Sequence, residues 1–213
     1  MAEAPLVHVV DDDVSVRDSL AMLLESAGFS VHTYDSATAF LAAASDRSAG
    51  CVLTDVQMPE LNGLELQRRM GELGIRLPVI VMTGHADVPI AVEALKAGAT
   101  DFLEKPFEEE HLLAAVTSAI AVSQRQHDEA AAVADIAARI ATLTPREREV
   151  LDRLVTGQPN KTIAYDLGSS PRTVEVHRAR VMEKMGARSL PELVRMTIAA
   201  EQAAASSGKA SDR

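Results

Sequence analysis

The chain has one cysteine among its 213 residues, Cys51. A single thiol excludes an internal disulfide and fits a reducing cytoplasm. It lies in an apolar run, where a small packed residue is expected rather than a reactive one. No stretch of about 18 or more uncharged apolar residues occurs, so no membrane span and no membrane partner are expected. The opening residues, MAEAPLVHVV, lack a basic leader region and run straight into acidic residues, which argues against a secretory signal. No internal repeat is visible. Positive charge is short as well: 21 Lys and Arg face 31 Asp and Glu, a net of −10. Taken whole, that balance opposes nucleic-acid binding.

The balance changes when the chain is divided. Residues 1–123 hold 19 acidic against 7 basic side chains, a net of −12, and residues 124–213 hold 12 against 14, a net of +2. Between Thr142 and Ala200 there are 10 basic and 7 acidic residues, a net of +3. An acidic front and a mildly basic back point to two different jobs.

The front half alternates short apolar runs, at 6–10, 30–34, 51–54, 79–82 and 100–103, with amphipathic stretches at about 14–27, 36–45, 62–73, 87–97 and 108–124. The runs have strand length and most are rich in β-branched residues. Five strands alternating with five helices predict a parallel sheet covered on both faces. Residues 124–141 contain no Gly or Pro and much Ala, and are read as a helical linker extending the fifth helix. The back half shows no strand pattern. Thr144, Pro145 and Glu147 open a helix with a capping box. Gly157 stops it, and further helices are expected at about 160–167, at 171–185 and from about 190 onward. The boundaries expected are therefore 1–123, a linker at 124–141, a helical domain at 142–202 and a disordered polar tail at 203–213.

Several reactive groups follow successive strands. Asp11, Asp12 and Asp13 follow the first, Asp55 the third, Thr83 the fourth, and Lys105-Pro106 the fifth. In an open parallel sheet, ligands bind outside the carboxyl ends of the strands. One edge thus collects carboxylates, a hydroxyl and an ammonium. Clustered carboxylates call for a cation, and oxygen donors that leave positions open suit Mg²⁺. A carboxylate can itself be the nucleophile and form an acyl phosphate, while a lysine and a hydroxyl hold the remaining phosphoryl oxygens. Each feature alone is weak: an Asp triplet can be a solvated loop and Lys-Pro a plain turn. Together, at four strand ends, they are specific.

The stretches VVDDD (9–13), LTDVQMPELNGLEL (53–66), VIVMTGHAD (79–87) and AGATDFLEKPF (97–107) resemble the receiver domain of two-component response regulators, over roughly residues 5–122. The resemblance implies a flavodoxin-like α/β fold with strand order 2-1-3-4-5. It implies that Asp55 is the phosphoacceptor, that Asp12 binds Mg²⁺ directly and Asp11 mainly through water, and that Asp55 and the Gln57 main-chain carbonyl complete the metal ligands. Thr83 and Lys105 would contact the phosphoryl group, Phe102 would be an aromatic switch, and Lys105–Pro106 would be cis. Gln57, two residues past the acceptor, would influence phosphoryl lifetime. Val92, Lys96 and Asp101 would form a dimer face on helix 4 and strand 5; as plain helix residues, Val92 and Lys96 would be core and solvent.

Residues 143–189, LTPREREVLDRLVTGQPNKTIAYDLGSSPRTVEVHRARVMEKMGARS, resemble a LuxR-type four-helix, helix-turn-helix DNA-binding domain, and the domain order and wording are similar to the FixJ subfamily. The resemblance makes 160–167 the scaffold helix and about 171–185 the recognition helix. Helical periodicity independently puts Val174, His177, Val181 and Met185 on one inward face, and Arg172, Val176, Ala179 and Glu183 opposite, flanked by Glu175 and Arg180. Arg172, Arg180, Lys161 and Lys184 are candidate phosphate contacts, Thr173 a further candidate DNA contact, Val176 a partner for a thymine methyl and Glu175 for cytosine. His177 is expected to pack inside, and Arg178 to snorkel outward.

These features lead to the expectation of a transcription factor, phosphorylated on Asp55 by a sensor histidine kinase. It would dimerise when phosphorylated and bind double-stranded promoter DNA beside RNA polymerase. Its only chemistry would be Mg²⁺-dependent phosphoryl transfer to its own Asp55 and autodephosphorylation. A haloacid-dehalogenase-type enzyme would also use a strand-end Asp, but favours a second Asp where Gln57 stands. A constitutive DNA binder would not need the acidic pair, Thr83 and Lys105. A pure phosphate sink would not need the C-terminal half.

Overall fold

The computed structural model describes residues 4–43, 50–84 and 88–210. The last residues of the second expected helix, the first residue of the fourth and the end of the tail lie outside them. The chain divides into two compact units, Met1–His127 and Asp128–Arg213.

In the first unit the strands are β1 (Leu6–Val10), β2 (Ser30–Tyr34), β3 (Gly50–Asp55), β4 (Val79–Thr83) and β5 (Asp101–Glu104). They form one parallel sheet in the order β2-β1-β3-β4-β5. Between them run α1 (Val14–Ser26), α2 (Ala37–Ala43), α3 (Gly63–Glu72) and α4 (Val88–Lys96), and α5 (Glu109–Ala141) follows β5. Because strand side chains alternate, each central strand feeds two cores. Cys51 and Leu53 of β3 face one side with Leu20 and Leu24 of α1 and Leu112, Val116 and Ala119 of α5. Val52 faces the other with Phe40 of α2, Leu66 and Met70 of α3 and Ala94 of α4. Both faces are thus covered, which fits strands that read as near-continuous apolar runs. Cys51 is fully buried, and burial pushes its thiol up to about 12, far from a reactive thiolate.

Helix α5 continues without a break from Glu109 through the stretch 124–141. Ser123 anchors it: its buried hydroxyl accepts from the Gly50 amide at 3.0 Å, at the start of β3.

The second unit contains α6 (Pro145–Val155), α7 (Asn160–Asp166), α8 (Pro171–Met185) and α9 (Leu190–Ala210). Its core gathers Val150, Leu151, Leu154, Ile163, Val174, Val181, Met185 and Leu193, with Ile136, Ile140 and Leu143 packed against it. Thr144 caps α6 with the full capping box, and Ser170 caps α8 by accepting from the Thr173 amide. Helix α9 runs to Ala210, into the stretch 203–210 for which disorder is expected from composition. The run of Ala at 203–205 is the physical reason, since Ala has the highest helix propensity and outweighs the polar composition around it. Among the described residues no helix is long and apolar enough to cross a membrane.

Candidate functional site

The sheet delivers the reactive groups to one edge. Asp11 follows β1, Asp55 and Thr83 end β3 and β4, and Lys105 follows β5. The Lys105 ammonium reaches Asp11 Oδ2 at 2.8 Å and Asp55 Oδ1 at 3.0 Å, tying three strand ends together. Asp11 is held on several sides. Its amide donates to the Tyr34 carbonyl, its Oδ1 accepts from the Asp13 amide, and its own carbonyl accepts from Arg17 Nη1 at 2.6 Å. Asp55 Oδ2 accepts from the Gln57 amide at 3.1 Å. Burial pushes the Asp55 carboxyl above its usual range; the hydrogen bond and charge of Lys105 oppose this, and Asp11 adds to it. For Lys105, burial works downward, but the bonds to the two carboxylates outweigh it and the net direction is up. The result is a half-buried cation held between two anions.

Asp11 and Thr83 are buried and Asp12 is exposed. Asp13, the third member of the triplet, accepts from the Ser15 amide as the N-cap of α1, so its role here is structural. Phe102 is half-buried against the core that faces α2, α3 and α4. The Lys105–Pro106 peptide is cis. Val92 is 43% exposed rather than buried, Lys96 and Asp101 are exposed, and Leu95 beside them is 53% exposed. The plain reading of Val92 as core therefore does not hold.

Gly63 is a site residue that the sequence pattern does not single out. It is the first residue of α3, and a Cβ there would overlap the Asp55 carbonyl oxygen and lie 3.3 Å from Thr54 Cγ2. Only glycine lets α3 start this close to Asp55. The Asn62-Gly63 pair was the available signal, since Asn62 caps α3 by accepting from the Glu65 amide. Gly63→Ala should slow labelling of the protein by acetyl phosphate by about 10- to 100-fold, because small misplacements of a nucleophile are costly. The far-UV spectrum should stay unchanged; wild-type labelling kinetics would show that the close approach does not matter.

In the second unit, Val174, Val181 and Met185 of α8 are buried, as the periodicity requires. Arg172, Thr173, Glu175, Ala179, Arg180 and Glu183 are exposed, with Val176 at 48%. Lys161, on α7, is also exposed. His177 is partly buried, with Nδ1 unpartnered. Arg178 turns out to Asn160 Oδ1 at 3.4 Å. Lys184 departs from the expectation of a phosphate contact. Its ammonium lies 2.6 Å from Glu147 Oε2 and 3.1 Å from the Thr142 carbonyl, so it is committed inside the domain. A carboxylate 37 residues away in sequence has claimed it.

A five-stranded parallel sheet with a Lys-bridged carboxylate pair at its carboxyl edge, followed by a helical unit with an exposed, partly basic face on α8, defines a response regulator that acts on transcription. Known proteins agree. Residues 7–117 match the response regulator receiver domain, and residues 141–197 match the bacterial regulatory proteins of the luxR family. The chain is 56% identical over 200 residues to the transcriptional regulatory protein FixJ of Azorhizobium caulinodans, covering 94% of this chain and 95% of that one. It is 54% identical over 196 residues to FixJ of Rhizobium meliloti, covering 91% and 95%. Among solved structures, the response regulator StyR aligns with a TM-score of 0.81 at 40% identity, over 92% of this chain and 98% of that one. Full-length FixJ from B. japonicum aligns at 0.57 and 52% identity, over 93% and 98%. The chain belongs to the FixJ subfamily of two-component response regulators, and is a transcription factor rather than an enzyme in the ordinary sense.

Proposed function

We propose that Asp55 is the phosphoacceptor, and that its phosphorylation by a sensor histidine kinase pairs two copies of the chain on an operator in the cytoplasm. The observation that carries this reading is the Lys105 bridge between Asp11 and Asp55. In the transfer, an Asp55 carboxylate oxygen attacks phosphorus, the bond from phosphorus to the kinase histidine nitrogen breaks, and an acyl phosphate forms. The donor set around Asp55 is all oxygen, which fits Mg²⁺. Among the described residues no cluster of three or more metal-binding side chains forms. With Lys105 on Asp11 and Asp55 and Asp12 turned to solvent, the side chains alone do not make a closed cage; the ion would be held by Asp11, Asp12 and Asp55 together with the Gln57 main-chain carbonyl and water. When bound, it neutralises charge on the incoming phosphoryl group. Lys105 and Thr83 hold the other phosphoryl oxygens.

Phosphorylation adds negative charge beside a lysine that already serves two carboxylates. Thr83 and Lys105 are drawn to the new oxygens, Phe102 follows, and the face bearing Val92, Lys96 and Asp101 becomes a dimer contact. The exposure of Val92 on that face supports this. On DNA, Arg172, Arg180 and Lys161 contact phosphates, with Thr173 a further contact. Glu175 and Val176 read base edges. Lys184 is left out of this set because Glu147 holds it. One copy offers few phosphate contacts and binds weakly, whereas two copies on paired half-sites bind well. RNA polymerase is the partner the bound dimer serves.

Treatment with acetyl phosphate should convert monomer to dimer by light scattering. The phosphorylated protein should also enrich a two-half-site sequence from random DNA that the unmodified protein enriches poorly. A modified protein that stays monomeric and selects no better would defeat the pairing model.

A further inference from the structure

Helix α5 ends inside the DNA-reading unit. Ile136 and Ile140, on its last turns, pack against the same core as α8. Arg139 lies between them in sequence. Its Nη1 donates to the Met185 carbonyl at 2.8 Å, and its Nη2 pairs with Asp135 Oδ2 at 2.9 Å. Met185 is the last residue of α8, where helix carbonyls lack intrahelical partners and the dipole favours a cation. The next residue, Gly186, caps α8 in the left-handed region at φ 66°, and a Cβ there would meet the Arg139 guanidinium. A second tie lies beside the first: Lys184 donates to the Thr142 carbonyl, just beyond α5, at 3.1 Å.

We infer that the last turns of α5 are part of the DNA reader, and that Arg139 is a positioning residue that fixes the tilt of the recognition helix α8 from its C-terminal end. The inference rests on the reading of α8 as the element that enters DNA. Lever length makes it matter. Arg172 stands 13 residues before Met185, about 20 Å along the axis at 1.5 Å per residue. A tilt of about 5° at Met185 then moves Arg172 by about 2 Å, more than the whole permitted range of a hydrogen-bond length. Asp135 acts one step further back, orienting the guanidinium from within α5.

The test uses the full-length chain with Arg139→Ala, Arg139→Lys and Asp135→Ala. Operator and random-sequence DNA binding are measured at one salt concentration and well below the unfolding transition. Arg139→Ala should lose about tenfold in operator affinity, the size expected for one charge-assisted hydrogen bond, with little change on random DNA. Arg139→Lys, which keeps the charge and a donor, should recover most of the loss, and Asp135→Ala should lose little. Amide exchange at Gly186 and Ala187, whose N–H groups close the α8 terminus on Glu183 and Met182, should accelerate in Arg139→Ala only. Wild-type operator affinity in Arg139→Ala would overturn the inference. So would an equal loss on operator and random DNA, which charge removal alone explains. If the wild-type chain selects no DNA sequence, the DNA-reading proposal itself fails; the exchange measurement then decides, and unchanged exchange overturns the clamp.

Discussion

Asp55→Asn should reduce labelling by acetyl phosphate or by a phosphorylated kinase to background, and should make operator binding indifferent to either donor. The substitution keeps the shape of the side chain and removes its nucleophile, since an amide oxygen or nitrogen does not form an acyl phosphate. It also removes a charge that burial disfavours. Lys105 loses one anionic partner but keeps Asp11 Oδ2 at 2.8 Å. The first unit should therefore remain folded, which separates loss of chemistry from loss of structure. Intact-mass measurement reads the result directly: the wild-type chain gains one phosphoryl group and the variant none. A variant that still gains one would place the acceptor on another carboxylate, and Asp12, exposed beside the site, is the first to examine.

The same site shows what the sequence could and could not reveal. Strand positions are legible because β-branched runs of strand length end at Asp, Thr or Lys. Periodicity calls for a parallel sheet, while the order 2-1-3-4-5 comes from the motif resemblance. Residues close in sequence betray their periodicity, and so the buried face of α8 at Val174, Val181 and Met185 is readable in advance. Contacts that join distant segments leave no such trace. The triplet 11–13 looks like one acidic cluster, yet Asp13 is a helix cap while Asp11 is pinned by Arg17, Lys105 and Tyr34. Gly63 looks like an ordinary turn glycine, because nothing local says that Asp55 lies against it. Lys184 looks free for phosphate because the local pattern assigns Glu147 only to a capping box.

The double duty of Glu147 carries the largest expected effect on stability. Glu147 is 2% exposed. It accepts from the Lys184 ammonium at 2.6 Å and from the Thr144 amide at 2.9 Å, while its own amide donates to Thr144 Oγ1. The Lys184 bond, then the Thr144 amide, lowers its pKa from 4.5 to about 2. Glu147→Ala would take the anion from Lys184, whose ammonium can turn to solvent, and open the cap of α6, at a cost of about 2 kcal/mol, the size of one charge-assisted hydrogen bond and a weakened cap. For a unit the size of Asp128–Arg213, that is a fall in melting temperature on the order of 10 °C, read by calorimetry in the transition of this unit. Glu147→Gln, which can still accept from both donors, should fall by less. The pH dependence has a defined sign. The folded pKa lies below the unfolded one, so the unfolded chain binds more protons between them and stability rises with pH. The contribution is complete above about pH 4.5 and is lost as pH falls through about 2. Wild-type protein should therefore lose melting temperature across this window faster than Glu147→Gln; parallel slopes would assign the acid sensitivity to other carboxylates. Lys184 and Met185 are consecutive on α8, so the carboxylate that stabilises the unit also helps Arg139 hold the C-terminal end of α8.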